Sequence, residues 1–150
     1  MNRRRQKKLA RRLVGAAMCG DGPAIKALLR AGADPAAADG DGETPLYAAS
    51  VNGNADAARL LLEAGAPPDA ESGGMGSDGL PLCAASCWGH TGTVRVLLAH
   101  GADPGLREDG GTGLTPLEWA RTGPYPDTID ALLAAGADVE KALRPDKALT

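Results

Sequence analysis

The sequence predicts an all-α solenoid: about four helix-turn-helix units, stacked and joined by β-turn loops. Two spacings and one feature of composition carry that expectation. Four segments, AIKALLRAGADP, AARLLLEAGAPP, TVRVLLAHGADP and TIDALLAAGADV, share a glycine–alanine step, and their glycines Gly32, Gly65, Gly101 and Gly136 lie 33, 36 and 35 residues apart. Three upstream segments also match: TPLYAAS from Thr44, LPLCAAS from Leu80 and TPLEWAR from Thr115. Each starts 21 residues before the next marker glycine, whereas the connections between units run 12, 15 and 14 residues. A unit of fixed length with variable connections is the signature of a stacked array. The composition is 43% hydrophobic but only 3% aromatic, with no Phe. A core of Leu, Ala, Val and Ile lets helices approach closely and leaves no expectation of large aromatic pockets.

Taken in order, residues 1–10 are a basic head or the start of a capping helix. The repeats occupy 11–138, with units near 11–38, 39–71, 75–107 and 110–140, and a cap or tail at 139–150. The first unit reads RRLVGAA (Arg11–Ala17) where the others have a Pro-Leu start, which suits a cap. Leu9, Leu13 and Val14 would pack on that unit as one face of an amphipathic helix. Thr44 and Thr115 precede Pro-Leu and start helices: the hydroxyl can satisfy an orphan backbone N–H, and Pro is tolerated in the first turn. Gly20, Gly53 and Gly89 end these first helices. Second helices carry Leu pairs, Leu61–Leu62 and Leu97–Leu98, and the marker glycines close them in a left-handed cap. Asp41-Gly42 makes a turn. Neither helix of a unit is long enough to persist alone in water. A buried Leu contributes roughly 1.5–3 kcal/mol, so stacking must supply the stability. Two irregularities sit in the fourth unit. Pro124 and Pro126 fall at its corner and predict a distortion, and Ile129, Leu132 and Leu133 would face outward. Val139, Ala142, Leu143 and Leu149 could cover them as a local cap, ahead of a contact between copies or a longer natural context.

The formal net charge of −3 conceals a division. Arg3, Arg4, Arg5, Lys7, Lys8, Arg11 and Arg12 make a basic head, and without those seven cations the chain carries −10. The three cysteines, Cys19, Cys83 and Cys87, are an odd number without a secreted-type framework and fit a reducing compartment. No apolar run approaches the roughly 18 residues of a membrane span, and the head lacks the apolar stretch of a signal peptide. The expectation is a soluble, cytoplasmic protein. Arg exceeds Lys by 11 to 5, which agrees with a GC-rich bacterial coding sequence.

The pattern resembles the ankyrin repeat, in which a turn, a TPLH-x-A start, two antiparallel helices and a closing GAD follow one another. The residues that carry it are TPLYAA (Thr44–Ala49), LPLCAA (Leu80–Ala85) with Gly89-His90, TPLEWA (Thr115–Ala120), and the GAD triplets at Gly32, Gly101 and Gly136. It spans about residues 11–138. The chain departs from the pattern where Tyr47, Cys83 or Glu118 replaces the usual His, with loss of that residue's hydrogen-bonding role, and where Leu80 replaces Thr.

The resemblance implies binding of a protein partner on a concave face made of turn tips and first helices. Carried onto this chain, the tips include Asp41, Glu43, Ser77, Asp78, Glu108, Asp109 and Thr112, and the helix face includes Met18, Val51, Asn52, Cys87, Trp88 and Thr122. Trp88 stands out, because Trp buries a large area at low entropic cost in binding hot spots. Its dull alternative is packing under the neighbouring loop. Trp119 is assigned to the core between helices. The longer connections, Glu71–Gly79 and Arg107–Gly113, either extend the tips toward a partner or are tolerated slack.

Other chemistry finds little support. Gly74-Met75-Gly76-Ser77-Asp78-Gly79 matches G-x-G-x-x-G, but a turn and not a strand precedes it, so a dinucleotide site is not expected. Cys83, Cys87 and His90 share one helical spacing, yet a fourth zinc ligand is missing. His100 is the only other histidine, and Asp34, Asp103 and Asp138 read as turn residues. No catalytic residue, cofactor or metal is assigned. The partner is an unidentified protein, with basic patches matching the acidic body. The runner-up is an adaptor tethered to nucleic acid or anionic membrane through residues 1–12. Against base stacking, the head has no interleaved aromatic residue.

Overall fold

The computed structural model describes residues 2–74 and 77–138, and of Ser77 and Asp78 the backbone alone. Four helix pairs follow one another: α1 (Arg3–Cys19) with α2 (Gly22–Arg30), α3 (Pro45–Val51) with α4 (Ala55–Glu63), α5 (Pro81–Cys87) with α6 (Thr91–Ala99), and α8 (Pro116–Thr122) with α9 (Pro126–Ala134). Between α6 and α8 lies α7 (Glu108–Gly111), a single turn in which Asp109 (φ 52°, ψ 47°) and Gly110 (φ 64°) are left-handed. Helices α1, α3, α5 and α8 stack consecutively in one layer, and α2, α4, α6 and α9 in a second. An all-α repeat solenoid is therefore what the chain forms.

One apolar core runs through every unit. Leu13, Ile25, Leu61, Leu82, Leu97, Leu117 and Leu132 are fully buried. Ala48, Ala49, Ala58, Ala85 and Ala120 fill the gaps between helices, where larger side chains would hold the layers apart. Leu132 corrects the outward placement expected for it, because it points into this continuous core. Ile129 is partly buried and Leu133 stays 39% exposed. Val139, Ala142, Leu143 and Leu149, the cap expected to cover them, lie outside the described residues. Among the described residues, no helix is long and apolar enough to cross a membrane.

Helix starts follow their residues. Thr44 Oγ1 accepts from the Tyr47 N–H at 3.2 Å. Thr115 and Glu118 form a reciprocal capping box, with bonds of 3.2 and 3.1 Å. Leu80 has no side-chain oxygen and makes no such bond. The marker glycines Gly32, Gly65, Gly101 and Gly136 all have φ between 91° and 103°, which is the left-handed closure their position requires.

The second helix α2 is capped by Asp21, whose Oδ1 accepts from the Ala24 N–H at 3.1 Å. Helices α4, α6 and α9 lack side-chain caps, because their cap residues serve the corners between paired helices. Asn54, at the start of α4, turns its amide backwards and donates to Ala17 O and Met18 O at 3.0 and 2.9 Å. Those carbonyls lie in the last turn of α1, past the end of its regular hydrogen-bond ladder. His90, at the start of α6, repeats the device one unit on, its Nε2–H donating to Val51 O at 3.2 Å. At the third corner the Tyr125 ring lies against Gly89. Gly53 shows what these contacts demand: its φ is 70°, and a Cβ there would meet the His90 ring at 2.6 Å. The fourth corner, which carries Pro124 and Pro126, departs from the others in that the Tyr125 ring replaces the hydrogen-bonding side chain.

The loops are stitched across units as well. Residues Ser72–Gly74 (β1) and Ser77–Gly79 (β2) pair antiparallel, with Ser72 opposite Gly79. Ser72 Oγ accepts from the Thr44 N–H at 3.1 Å, and Gly73 N–H donates to Gly42 O at 3.0 Å. Gly74 and Gly79 of the G-x-G-x-x-G match thus sit on two arms of a hairpin, not between a strand and a helix. The side chains of Ser77 and Asp78, at the expected turn tip, lie outside the described residues.

Candidate functional site

A groove of about 310 Å3 opens between the first-helix layer and the loops of the second, third and fourth units. Helix α3 contributes Tyr47 and Val51; α5 contributes Cys83, Ala84 and Cys87, with Trp88 at its end. Gly79 of β2, the α7 residues Glu108 and Asp109, and Trp119 of α8 complete the wall. The protein has four aromatic residues, and three of them, Tyr47, Trp88 and Trp119, line this one groove. The low aromatic content therefore misleads on one point: the few rings present are gathered in one place.

Trp88 is 59% exposed, more than any other large apolar side chain among the described residues. Short α5 ends there because Gly89 follows with φ 68°, so the indole is delivered to the rim and not to the core. Trp119 corrects the core placement expected for it. It is half-buried, and its Nε1–H donates to Glu108 Oε2 at 2.8 Å. An indole N–H has to find a partner when buried, and its acceptor here stands in the groove wall.

Glu108 also differs from an exposed turn tip. It is partly buried, and its Oε1 accepts from the Leu80 N–H at 3.3 Å. In a capping box this amide is held by a Glu three residues on in the same helix. At α5 the carboxylate comes from the next unit instead. Its approach depends on Gly79, where a Cβ would strike Glu108 Oε1. Burial raises the Glu108 pKa from its ordinary value, the bonds from Trp119 and Leu80 lower it, and the Asp109 charge adds to the rise. The left-handed turn at Asp109 leaves that residue exposed on the rim.

The two groove thiols are poor nucleophiles. Burial, then the Glu108 charge, push the pKa of Cys83 far up, and the same causes raise Cys87. The thiolate is the reactive form, and both shifts disfavour it at neutral pH. His90 does not join them, because its ring serves Val51 O. Among the described residues, no three His, Cys, Asp or Glu side chains are grouped to hold a metal ion.

Of the candidates read from the sequence, Val51, Cys87, Trp88, Glu108 and Asp109 meet in this groove. The others do not. Met18 is 45% exposed on α1 of the first unit. Asn52 donates back to Ala48 O at 2.8 Å, and Thr122 to Trp119 O at 2.7 Å, each on its own helix. Thr112 donates to Asp109 O at 2.9 Å. Asp41 is exposed, while Glu43 is partly buried, with a pKa raised by burial and by Asp39 and Asp41. Missed residues are Tyr47, Cys83, Gly79 and Trp119. One signal pointed to the arrangement: Leu80, lacking a capping oxygen, needed an acceptor from elsewhere.

Glu118 supplies the contrast to Glu108. Both side chains of its pair with Arg107 are nearly buried, at 11% and 9% exposure, with a 3.0 Å contact. Arg107 also donates to Gly113 O at 3.0 Å. The hydrogen-bonding role expected to vanish with the missing His at this position is thus taken over by the Glu118 carboxylate.

Residues 13–108 match the family model for ankyrin repeats, in three copies. The fourth helix pair, α8 and α9, lies beyond that match and stacks in the same way. A comparison with curated proteins finds no match.

Proposed function

The chain belongs to the ankyrin repeat family, whose repeats are generally protein–protein interaction modules, and from that premise we propose a non-enzymatic scaffold or adaptor that grips a protein partner in the groove around Trp88. The observation that carries the reading is the exposure of Trp88 beside Trp119 and Tyr47 in one concavity. An exposed indole in a soft apolar setting gains most when a partner covers it. The acidic body favours a partner with basic patches. The free thiols Cys19, Cys83 and Cys87 fit a cytoplasmic setting.

The test is affinity capture from a native lysate with wild type and Trp88→Ala, both confirmed folded by circular dichroism. A protein retained by wild type and lost by the variant supports the reading and identifies the partner. Identical partners on both would move the interface elsewhere.

A second reading, contact with nucleic acid through the basic head, has one observation in its favour. Arg3, Arg4, Arg5, Lys7, Lys8, Arg11 and Arg12 are all exposed on α1, and none belongs to an ion pair among the described residues. Like charges at this spacing repel, and cations in a first turn oppose the helix dipole. The apolar face, Leu9, Leu13 and Val14, is buried in the core, which leaves nothing to insert into a bilayer. Deleting residues 1–12 would remove Leu9 and Ala10 from the core. The apt variant is Arg3, Arg4 and Arg5 all to Gln. Salt-dependent binding to a DNA or RNA duplex that this variant loses would favour the head, and equal binding would remove it.

A further inference from the structure

Among the described residues, the groove's charge has no cation paired with it. Glu108 is partly buried, yet none of the ion pairs among the described residues involves it or Asp109. Glu118, in the same unit, is fully paired with Arg107. A desolvated carboxylate is normally paired. Glu108 instead has neutral donors: the Leu80 N–H on Oε1, the Trp119 Nε1–H on Oε2 and the Cys83 thiol. A carboxylate offers about four acceptor sites, so beside these donors Glu108 still has room for one more. Around it stand the rings of Trp88, Trp119 and Tyr47.

We propose that this groove takes an arginine side chain from the partner, its guanidinium held by Glu108 and Asp109 and laid against the indoles of Trp88 and Trp119. The inference rests on the reading of the groove as the binding surface and names what that surface recognises. Arginine fits better than lysine for three reasons. The guanidinium is planar and stacks on rings, its fork of several N–H donors can serve the Glu108 and Asp109 carboxylates together, and it is weakly hydrated, so entry into a half-desolvated groove costs less. The charge of −10 outside the head gives the long-range complement to a basic segment.

The protein has only two tryptophans, Trp88 and Trp119, and both line the groove. Their two indole N–H resonances therefore report occupancy directly. The probe is a blocked Ala-Ala-Arg-Ala-Ala peptide, with a twin in which citrulline replaces Arg: the same shape without the charge. The full chain should show saturable shifts of both indole resonances with the Arg peptide, at roughly millimolar affinity, and at least ten-fold weaker binding of the citrulline twin. Glu108→Gln keeps an acceptor for Trp119 and should weaken the Arg peptide at least ten-fold. Should that variant misfold, Asp109→Asn, at an exposed residue, should weaken it two- to three-fold. Equal shifts with citrulline, no shift with the Arg peptide, or unchanged affinity in the variants would overturn the proposal. If any of these occurred while Trp88→Ala still lost its captured partner, the cation would be discarded and the groove kept.

Discussion

The corners and the loops of this solenoid use their residues in opposite ways. At the corners each unit sets a side chain against the glycine of the unit before it: Asn54 on Gly20, His90 on Gly53 and Tyr125 on Gly89. In the loops no two units agree. Thr44 N–H is held by Ser72, Leu80 N–H by Glu108, and Thr115 N–H by Glu118 of its own helix. The lesson is that stacking needs a constant contact, whereas loops need only satisfy one amide by some means. That freedom lets a loop place an acid and an indole together in a groove.

The comparison can be broken most forcefully at Arg107. Loops usually tolerate change, yet Arg107→Ala strands the nearly buried Glu118, at a cost of about 3–5 kcal/mol. Urea unfolding of the variant checks it, and a loss under about 1 kcal/mol would place this pair with ordinary surface ion pairs. Leu97→Ala, in the regular core, should cost about 2–5 kcal/mol. A corner costs less: Gly53→Ala combines a φ of 70° with a collision against His90, and should lower stability by about 1–3 kcal/mol. If the same urea experiment leaves Gly53→Ala as stable as wild type, the corner contact is slack.

The groove residues should barely register in stability. Trp88→Ala should shift it by less than about 0.5 kcal/mol while costing about 2 kcal/mol or more in partner affinity, read by calorimetry. Glu108 adds a pH signature. Its folded pKa is raised, so the folded chain holds the proton more tightly than the unfolded chain. Stability from this group is present at low pH and falls as pH rises from the ordinary carboxylate range through the folded value. Glu43 and Asp69 are raised also, but Glu108→Gln leaves them in place. The difference between wild type and Glu108→Gln, from urea midpoints at pH 5 and pH 7, should therefore move in the variant's favour at the higher pH.

These magnitudes also separate what was legible in the sequence from what was not. Helix starts at Thr44 and Thr115 and closures at the marker glycines are local chemistry, written in adjacent residues. The partners of the corners are not: Asn54 meets carbonyls 36 and 37 residues away, and spacing alone does not tell which side chain turns back. Trp119 was misplaced for the same reason. An aromatic within a buried repeat motif reads as core, and only the acceptor at Glu108, 11 residues upstream, draws it to the groove. Trp88 was legible because it stands beside a helix-ending glycine.

The central claim is that the partner lies in the groove and not on the second helix layer. A photo-crosslinking residue placed at position 88, and separately at exposed Arg95 on α6, tests it with the captured partner present. The account predicts an adduct from position 88 and none from position 95. An adduct from position 95 alone would contradict it and transfer the binding surface to the opposite layer.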